Sequence, residues 1–503
     1  MRAAPLTLGP RTPYPAPRAI VAGAAVATFL AGLDNAVVST AIPTVVGQLG
    51  GLGLYAWVFS AYLLSSTASV PLYGKLADLY GRKRLFLVAT TIFLVGSALC
   101  GQSRSMGELI VFRFVQGLGA GGLYPVTLII LGDLFPLEQR ARLMGVLSAI
   151  WGGAAIIGPG VGGFLTEQVS WRWVFYVNLP LCLASMALVA WFLHERMERR
   201  EHYVDYLGAV LLSGAVAALL LAVQSPGGSP MAGLAMLVGV PSAAAGMLLG
   251  ALALVLGVVF VLRERRTPEP LLPLDLFRLP VISVGTASRF LFGVLLFGQA
   301  SFVPPFIQGA MGFSPTLAGL VLAGTSLGWS IASNVSGRAI LRWGYRVTGI
   351  GGAGTLVLGF VLLRLLSPYD GLAWAAVVQF VVGAGFGTIT PVTLLSMQNA
   401  VDWGQRGVAT STSQLATNIG GTLGVTLAGA LFASGMTAAA ATGLDTSALL
   451  APERRSLLDP LNLELGRGLL ASSLAPVYTM FATASALGLG VMALLPGGKP
   501  SSA

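Results

Sequence analysis

Charge is scarce in this chain. Of 503 residues, 10% are Asp, Glu, Lys or Arg, where a soluble domain carries about 25%. That excludes a fold built to face water on all sides. Cysteine is scarcer still, with Cys100 and Cys182 alone. Both fall inside apolar runs, so neither a disulfide framework nor a Cys-based metal motif is available. The two histidines, His194 and His202, share one charged stretch, 194–205, that lacks the further ligands a metal site needs. We expect no metal. No Walker-type phosphate loop occurs either, since Gly497-Gly498-Lys499 runs into Pro500. With no nucleotide site, an ion gradient is the remaining energy source, and no cofactor is expected.

What is abundant is apolar residues, 55% of the chain, and glycine, 66 residues. A membrane-crossing helix needs roughly 20 mostly apolar residues. Fourteen such runs follow one another from 19–42 to 472–494, which predicts an all-α polytopic membrane protein. The Pro-rich stretch 1–18 lacks the layout of a cleaved signal peptide. Basic residues cluster at Lys75 with Arg82–Arg84, at Arg196 with Arg199–Arg200, and at Arg263 with Arg265–Arg266. By the positive-inside bias these clusters and both termini are cytoplasmic. The net charge of +10 therefore reads as orientation and contact with anionic membrane lipids, not nucleic-acid binding. Both Gly-x-Gly-x-x-Gly matches, 117–122 and 158–163, lie within apolar runs with no strand before them, and are false positives for a dinucleotide site.

The chain repeats itself. Arg113 to Val126 aligns with Gln379 to Val392 at an offset of 266 residues, Gly117, Gly119 and Gly121 falling on Gly383, Gly385 and Gly387. Gly74 and Gly81 fall on Gly337 and Gly344 at 263. Two six-helix units in the same orientation follow, 1–193 and 281–503. Between them, 194–280 holds cytoplasmic linkers and two extra spans, 206–224 and 242–262. Parallel repeats of this kind are one transporter plan, with the substrate site between the halves near mid-membrane.

Within that frame a few residues stand out. Asp34 is the one carboxylate deep in an apolar run, where a charge costs roughly 2.5–3.5 kcal/mol and marks a functional candidate. Arg113 lies at a matching depth, so the two are expected to share a cavity, with Asp34 exchanging protons and Arg113 tuning it. Asn35 and Ser39 are the alternative partners for Asp34. The glycine-bracketed turn 74–84 carries Gly74, Asp78, Gly81, Arg82 and Lys83, a charge network able to latch one conformation. In the fifth run Gly158, Pro159, Gly162 and Gly163 remove side chains and one backbone donor, which permits close helix approach and a kink. A polar-poor lining of Gln116, Gln299, Trp329, Asn334, Gln379, Gln414 and Asn418 suits a small lipophilic or amphipathic substrate, singly charged at most. Arg289 is read as snorkelling to the cytoplasm, and segment 435–471 as lying on the outer membrane surface.

These motifs, in this order, resemble those of the major facilitator superfamily, and specifically its fourteen-helix drug:proton antiporter branch. The turn pattern is met at Gly74, Leu76, Ala77, Asp78, Gly81, Arg82 and Lys83, and the fourth-span pattern at Arg113, Gln116, Gly117 and Gly119. The antiporter pattern falls on Gly158, Pro159, Gly162 and Gly163. Leu33-Asp34 through Pro43, and Trp171 to Phe175 with Asn178 and Pro180, are similar to the branch's first and sixth helix motifs. Leu79, Ala154 and Asn418 depart from the usual residues. The resemblance implies a proton-coupled multidrug exporter of the cell membrane, not an enzyme, acting as a monomer by alternating access. It also implies that the 74–84 turn holds the outward-open state and that the 158–163 run limits leak. Export of a lipid or metabolite, or inward carriage, is the alternative; a membrane enzyme or scaffold is the remote one.

Overall fold

The computed structural model describes residues 17–135, 137–193, 206–224, 242–267, 274–402, 405–440, 446–450 and 452–497. Among the described residues the regular structure is helical throughout. In chain order the long helices are α1 (Pro17–Leu49), α2 (Tyr55–Tyr80), α3 (Arg82–Gln102), α4 (Met106–Leu134), α5 (Leu137–Gln168) and α6 (Trp173–Phe192). Then come α7 (Tyr206–Gln224), α8 (Ser242–Glu264), α9 (Pro280–Pro305), α10 (Pro315–Leu365), α11 (Leu372–Asn399), α12 (Arg406–Ala440) and α13 (Pro460–Ala493). Ten helices among the described residues are long and apolar enough to cross a membrane. At roughly 1.5 Å per residue, the 51 residues of α10 exceed two bilayer cores. They bend at Gly344, whose φ of 82° and ψ of 175° interrupt the helix, so α10 supplies two spans. The helices are thus consistent with the fourteen spans read from sequence.

Gly81, 263 residues earlier, separates α2 from α3 with a φ of 89°. The two glycines matched by the repeat therefore carry the same left-handed break. A β-carbon there would cost about 1–2 kcal/mol. The second repeat match has the same structural meaning. Gly117 and Gly121 let α4 press on the α2 backbone, and Gly119 lets it press on α3. Gly383 and Gly387 do this for α11 against the first arm of α10, and Gly385 against its second arm. Without a hydrophobic drive between helices in lipid, such close backbone approach is what holds a bundle together.

The first six helices pack on one another, as do α9 to α13, while α7 and α8 pair together and α7 lies along α2 and α12. The two large groups meet along α5 with α10 and α2 with α12. Among the described residues most of their direct hydrogen bonds lie toward one end, where α1 finishes and α2 begins. There Tyr55 donates to the Ser301 carbonyl at 2.6 Å and Gln308 to the Thr40 carbonyl at 2.8 Å. Ser60 pairs with Thr426, and the Thr316 amide donates to Glu167. Farther along, Ser326 of α10 donates to the Ala155 carbonyl of α5 at 2.7 Å.

The outer segment differs from expectation. Residues 460–471 are the start of α13, not a surface-lying helix. Ahead of them Leu449 and Leu450 are buried in the core, because the segment closes over the ends of α1 and α9. Arg454 donates to the Gly47 carbonyl in α1, and Arg455 to that of Gln308 just beyond α9. Burial first, and then the charge of Arg467, lower the pKa of the Arg455 guanidinium from its usual value.

Candidate functional site

Asp34 sits midway along α1 with no solvent-accessible surface. One carboxylate oxygen lies 3.1 Å from Nη1 of Arg113, which is 1% exposed. The other accepts from Gln116 Nε2 at 2.9 Å and from Asn178 Nδ2 at 2.7 Å. Arg113 and Gln116 stand one helical turn apart on α4, so both side chains reach the same point on α1. Asn178 enters from the start of α6, directly after the Trp171–Phe175 turn. Ser97 on α3 closes the ring, receiving bonds from Gln116 and Asn178 and donating to the Phe175 carbonyl. Gln116 turns its oxygen back to Arg113 Nη1 at 2.7 Å.

Four helices thus converge on a single carboxylate. Removing one partner from a buried pair costs about 3–5 kcal/mol, because the other charge is left without compensation. Apart from Asp34, Arg113 meets Gln116 Oε1 at 2.7 Å, the Val58 carbonyl at 3.4 Å and the face of Tyr62 at 4.0 Å. Asn35 and Ser39 take no part. They donate to the Ala31 and Ala36 carbonyls of their own helix. Asn178, noted in sequence as part of a motif, and Ser97 are members that the sequence did not assign; depth arguments pair charges but do not reach neutral partners on other helices.

The glycine run of α5 faces two ways. A β-carbon on Gly158 or Gly162 would strike α1 at Ala36 or Val37, whereas one on Gly163 would strike Pro315 and Thr316 at the start of α10. The Pro159 carbonyl in turn lies against Gly319 of α10. The run therefore sits between the Asp34 helix and the opposite group. In the 74–84 turn, Lys83 donates to the Ala190 carbonyl at 2.6 Å, fastening α3 to the end of α6. The side chains of Gly74 and Asp78 lie outside the described residues, and Arg82 opens α3 beside Gly81.

The polar residues expected to line a cavity are not gathered in one place. Gln116 belongs to the Asp34 cluster. Gln379 is buried and accepts from Thr325 at 2.8 Å, leaving its Nε2 without a partner; Gln299 is buried with Oε1 likewise unpaired. Trp329 is half-buried against Phe292 and Phe386. Asn334 and Gln414 are exposed and bond within their own helices, Gln414 to Asn418. Arg289 does not snorkel. It is 9% exposed, with its guanidinium turned inward over the Phe292 ring at 4.4 Å. Among the described residues no group of three or more His, Cys, Asp or Glu is placed to hold a metal.

A family model of the Major Facilitator Superfamily matches residues 24–425. The chain belongs to the major facilitator superfamily. It is a multi-pass membrane transporter and not an enzyme. Among its relatives, the Multidrug transporter protein MdtP of Bacillus subtilis is 36% identical over 412 residues, 82% of this chain and 74% of MdtP. Multidrug resistance protein 3 of the same organism is 32% identical over 410 residues, covering 82% and 78%. Among solved structures, a bacterial homologue of the lysosomal transporter Spinster, in an inward-facing and unoccupied conformation, superposes with a TM-score of 0.65. It covers 97% of this chain and 99% of its own at 15% identity, and so bears on the fold alone.

Proposed function

We propose that this chain exports hydrophobic or amphipathic small molecules, drugs among them, in exchange for protons. The exchange runs by alternating access between the halves 1–193 and 281–503, joined by the 194–280 segment. The observation that carries this is the Asp34 cluster. A buried carboxylate held by Arg113, Gln116 and Asn178 is a proton-dependent contact on α1, the helix that Gly158 and Gly162 touch. Taking up a proton loosens α1 from α4 and α6, and Gly163 and Pro159 pass the change to α10 across the boundary between halves. One proton crossing 100 mV releases about 2.3 kcal/mol, enough for roughly 50-fold accumulation. The two multidrug relatives support the class of cargo.

In this reading the protein works as a monomer in the cell's inner membrane with both termini cytoplasmic. It takes protons and a lipophilic substrate as partners, with lipids around it, and needs no cofactor. The basic turn at 82–84 and the start of α9 then face inward, and the bonded end of the two groups faces out. The 74–84 turn, with Gly74, Asp78, Gly81, Arg82 and Lys83, would close that inner end in the opposite state. Gln299, Trp329, Asn334, Gln379, Gln414 and Asn418 are offered as cavity contacts, Gln299 and Gln379 most directly because each keeps an unpaired buried atom. Substrate movement in everted vesicles, with and without a pH gradient, tests the whole proposal. Movement that ignores the gradient would refute proton coupling.

A further inference from the structure

Among the described residues the spans of the second half hold one buried charge, and it has no counter-charge. Arg289 lies nine residues into α9, is nine-tenths buried, and has neither Nε nor Nη1 paired among the described residues. None of the spans of this half, from α9 to α13, contains Asp or Glu within 281–305, 316–365, 372–399, 406–434 or 472–494. Its neighbour is aromatic. The guanidinium rests on Phe292, which meets Trp329 edge-on at 5.6 Å and Phe386 at 5.0 Å. Trp329 is only half-buried, so this aromatic floor keeps one open edge. A buried guanidinium left with spare donors is costly unless an acceptor reaches it. By contrast, the buried arginine of the first half, Arg113, already has Asp34.

Position along the helix also matters. The bonds that join the two groups reach α9 at Ser301, about 18 Å from Arg289 at 1.5 Å per residue. Arg289 therefore lies well away from the closed end, in the half of α9 nearer its start at Pro280. We propose that Arg289 is the anion-accepting position of the transport pathway. It selects monoanionic aromatic amphiphiles, a carboxylate or comparable oxyanion meeting the guanidinium while the ring stacks on Phe292 and Trp329. Guanidinium and carboxylate fit in a forked geometry, and a planar aromatic body matches the floor. This rests on the export reading and narrows it: cargo of one charge is an anion, and lipophilic cations are disfavoured.

The test uses three probes that share a naphthyl body and differ in one group: a carboxylate, its neutral amide and a trimethylammonium. Binding of each to purified full-length protein in phosphatidylcholine nanodiscs is read by fluorescence. The wild type should bind the carboxylate about ten-fold or more tighter than the amide, and the cation weakest. In Arg289→Gln the carboxylate-to-amide ratio should fall to near one; Arg289→Lys should keep part of it. Equal binding of all three by the wild type, binding of none, or a ratio that survives Arg289→Gln would overturn the proposal. If Arg289→Gln does not fold, the wild-type ratio and Arg289→Lys still decide. Loss of carboxylate binding when phosphatidylglycerol is added would make a lipid headgroup the occupant and overturn the substrate class. Movement of the neutral amide in everted vesicles under a pH gradient reports on export separately, so the two readings can fail independently.

Discussion

Gly117, Gly119 and Gly121 in the first group, and Gly383, Gly385 and Gly387 in the second, pack their helices in the same manner, yet the polar groups beside them have different fates. In α1 to α6 the buried charges close on each other: Asp34, Arg113, Gln116, Asn178 and Ser97 bond among themselves, with Asn178 Oδ1 left without a partner among the described residues. In α9 to α13 buried Arg289, Gln299 and Gln379 keep unpaired atoms. The repeat thus preserves backbone geometry and lets side-chain chemistry diverge. One copy holds a buried ion pair within its own polar cluster, which we propose as the proton-exchanging site; the other presents open hydrogen-bonding capacity, which is what a ligand site needs.

The comparison breaks most decisively at Asp34. Asp34→Asn should reduce pH-driven transport by about a hundred-fold or more, since the charge that holds Arg113 is gone; gradient-driven transport in everted vesicles at equal expression measures it. The same change should leave the carboxylate-to-amide preference of binding nearly intact, and a parallel loss would mean that the two groups do not divide their labour. Next in size is the boundary between groups. Gly163→Leu would force a side chain into Pro315 and Thr316, which should abolish transport and cost about 1–3 kcal/mol of thermal stability. Gly160→Ala, where nothing lies within 4 Å, should be close to silent in both assays.

Asn178→Ala should sharpen the account of the first group. Leaving one Asp34 oxygen short of a donor costs about 1–3 kcal/mol, visible as a lowered melting temperature and several-fold slower transport. The smallest expected difference concerns the paired breaks. Gly81→Ala and Gly344→Ala should each lose about 1–2 kcal/mol of stability, because both sit at positive φ. Only Gly81→Ala should also alter transport, as its turn carries Asp78, which the Gly344 copy replaces with Leu341 while keeping its basic character.

Much of this was legible beforehand, for physical reasons that differ by feature. Helices and their order follow from apolar run length, and the repeat follows from glycines that backbone contact makes necessary. Asp34 and Arg113 could be paired because a bilayer leaves few places for charge. Asn178 and Ser97 could not, since neutral hydrogen bonds between α1, α3 and α6 leave no trace in hydropathy. Arg289 was misread for a related reason. Depth alone permits a long side chain to reach water, and only the Phe292, Trp329 and Phe386 packing shows that it turns the other way. Segment 435–471 reads as surface-lying because Arg454 and Arg455 are visible in sequence, whereas the carbonyls of Gly47 and Gln308 that receive them are not.

Those two arginine bonds have a pharmacological consequence. Arg454 bonds the first group and Arg455 the second, so under the proposed alternating access residues 452–455 form a clasp that must let go each time the bonded end opens. On the proposed orientation that end lies outside the cell, and a cyclic peptide or antibody fragment that grips the clasp would arrest the cycle without crossing the membrane. It would not compete with cargo, and so raising the drug concentration would not relieve the block.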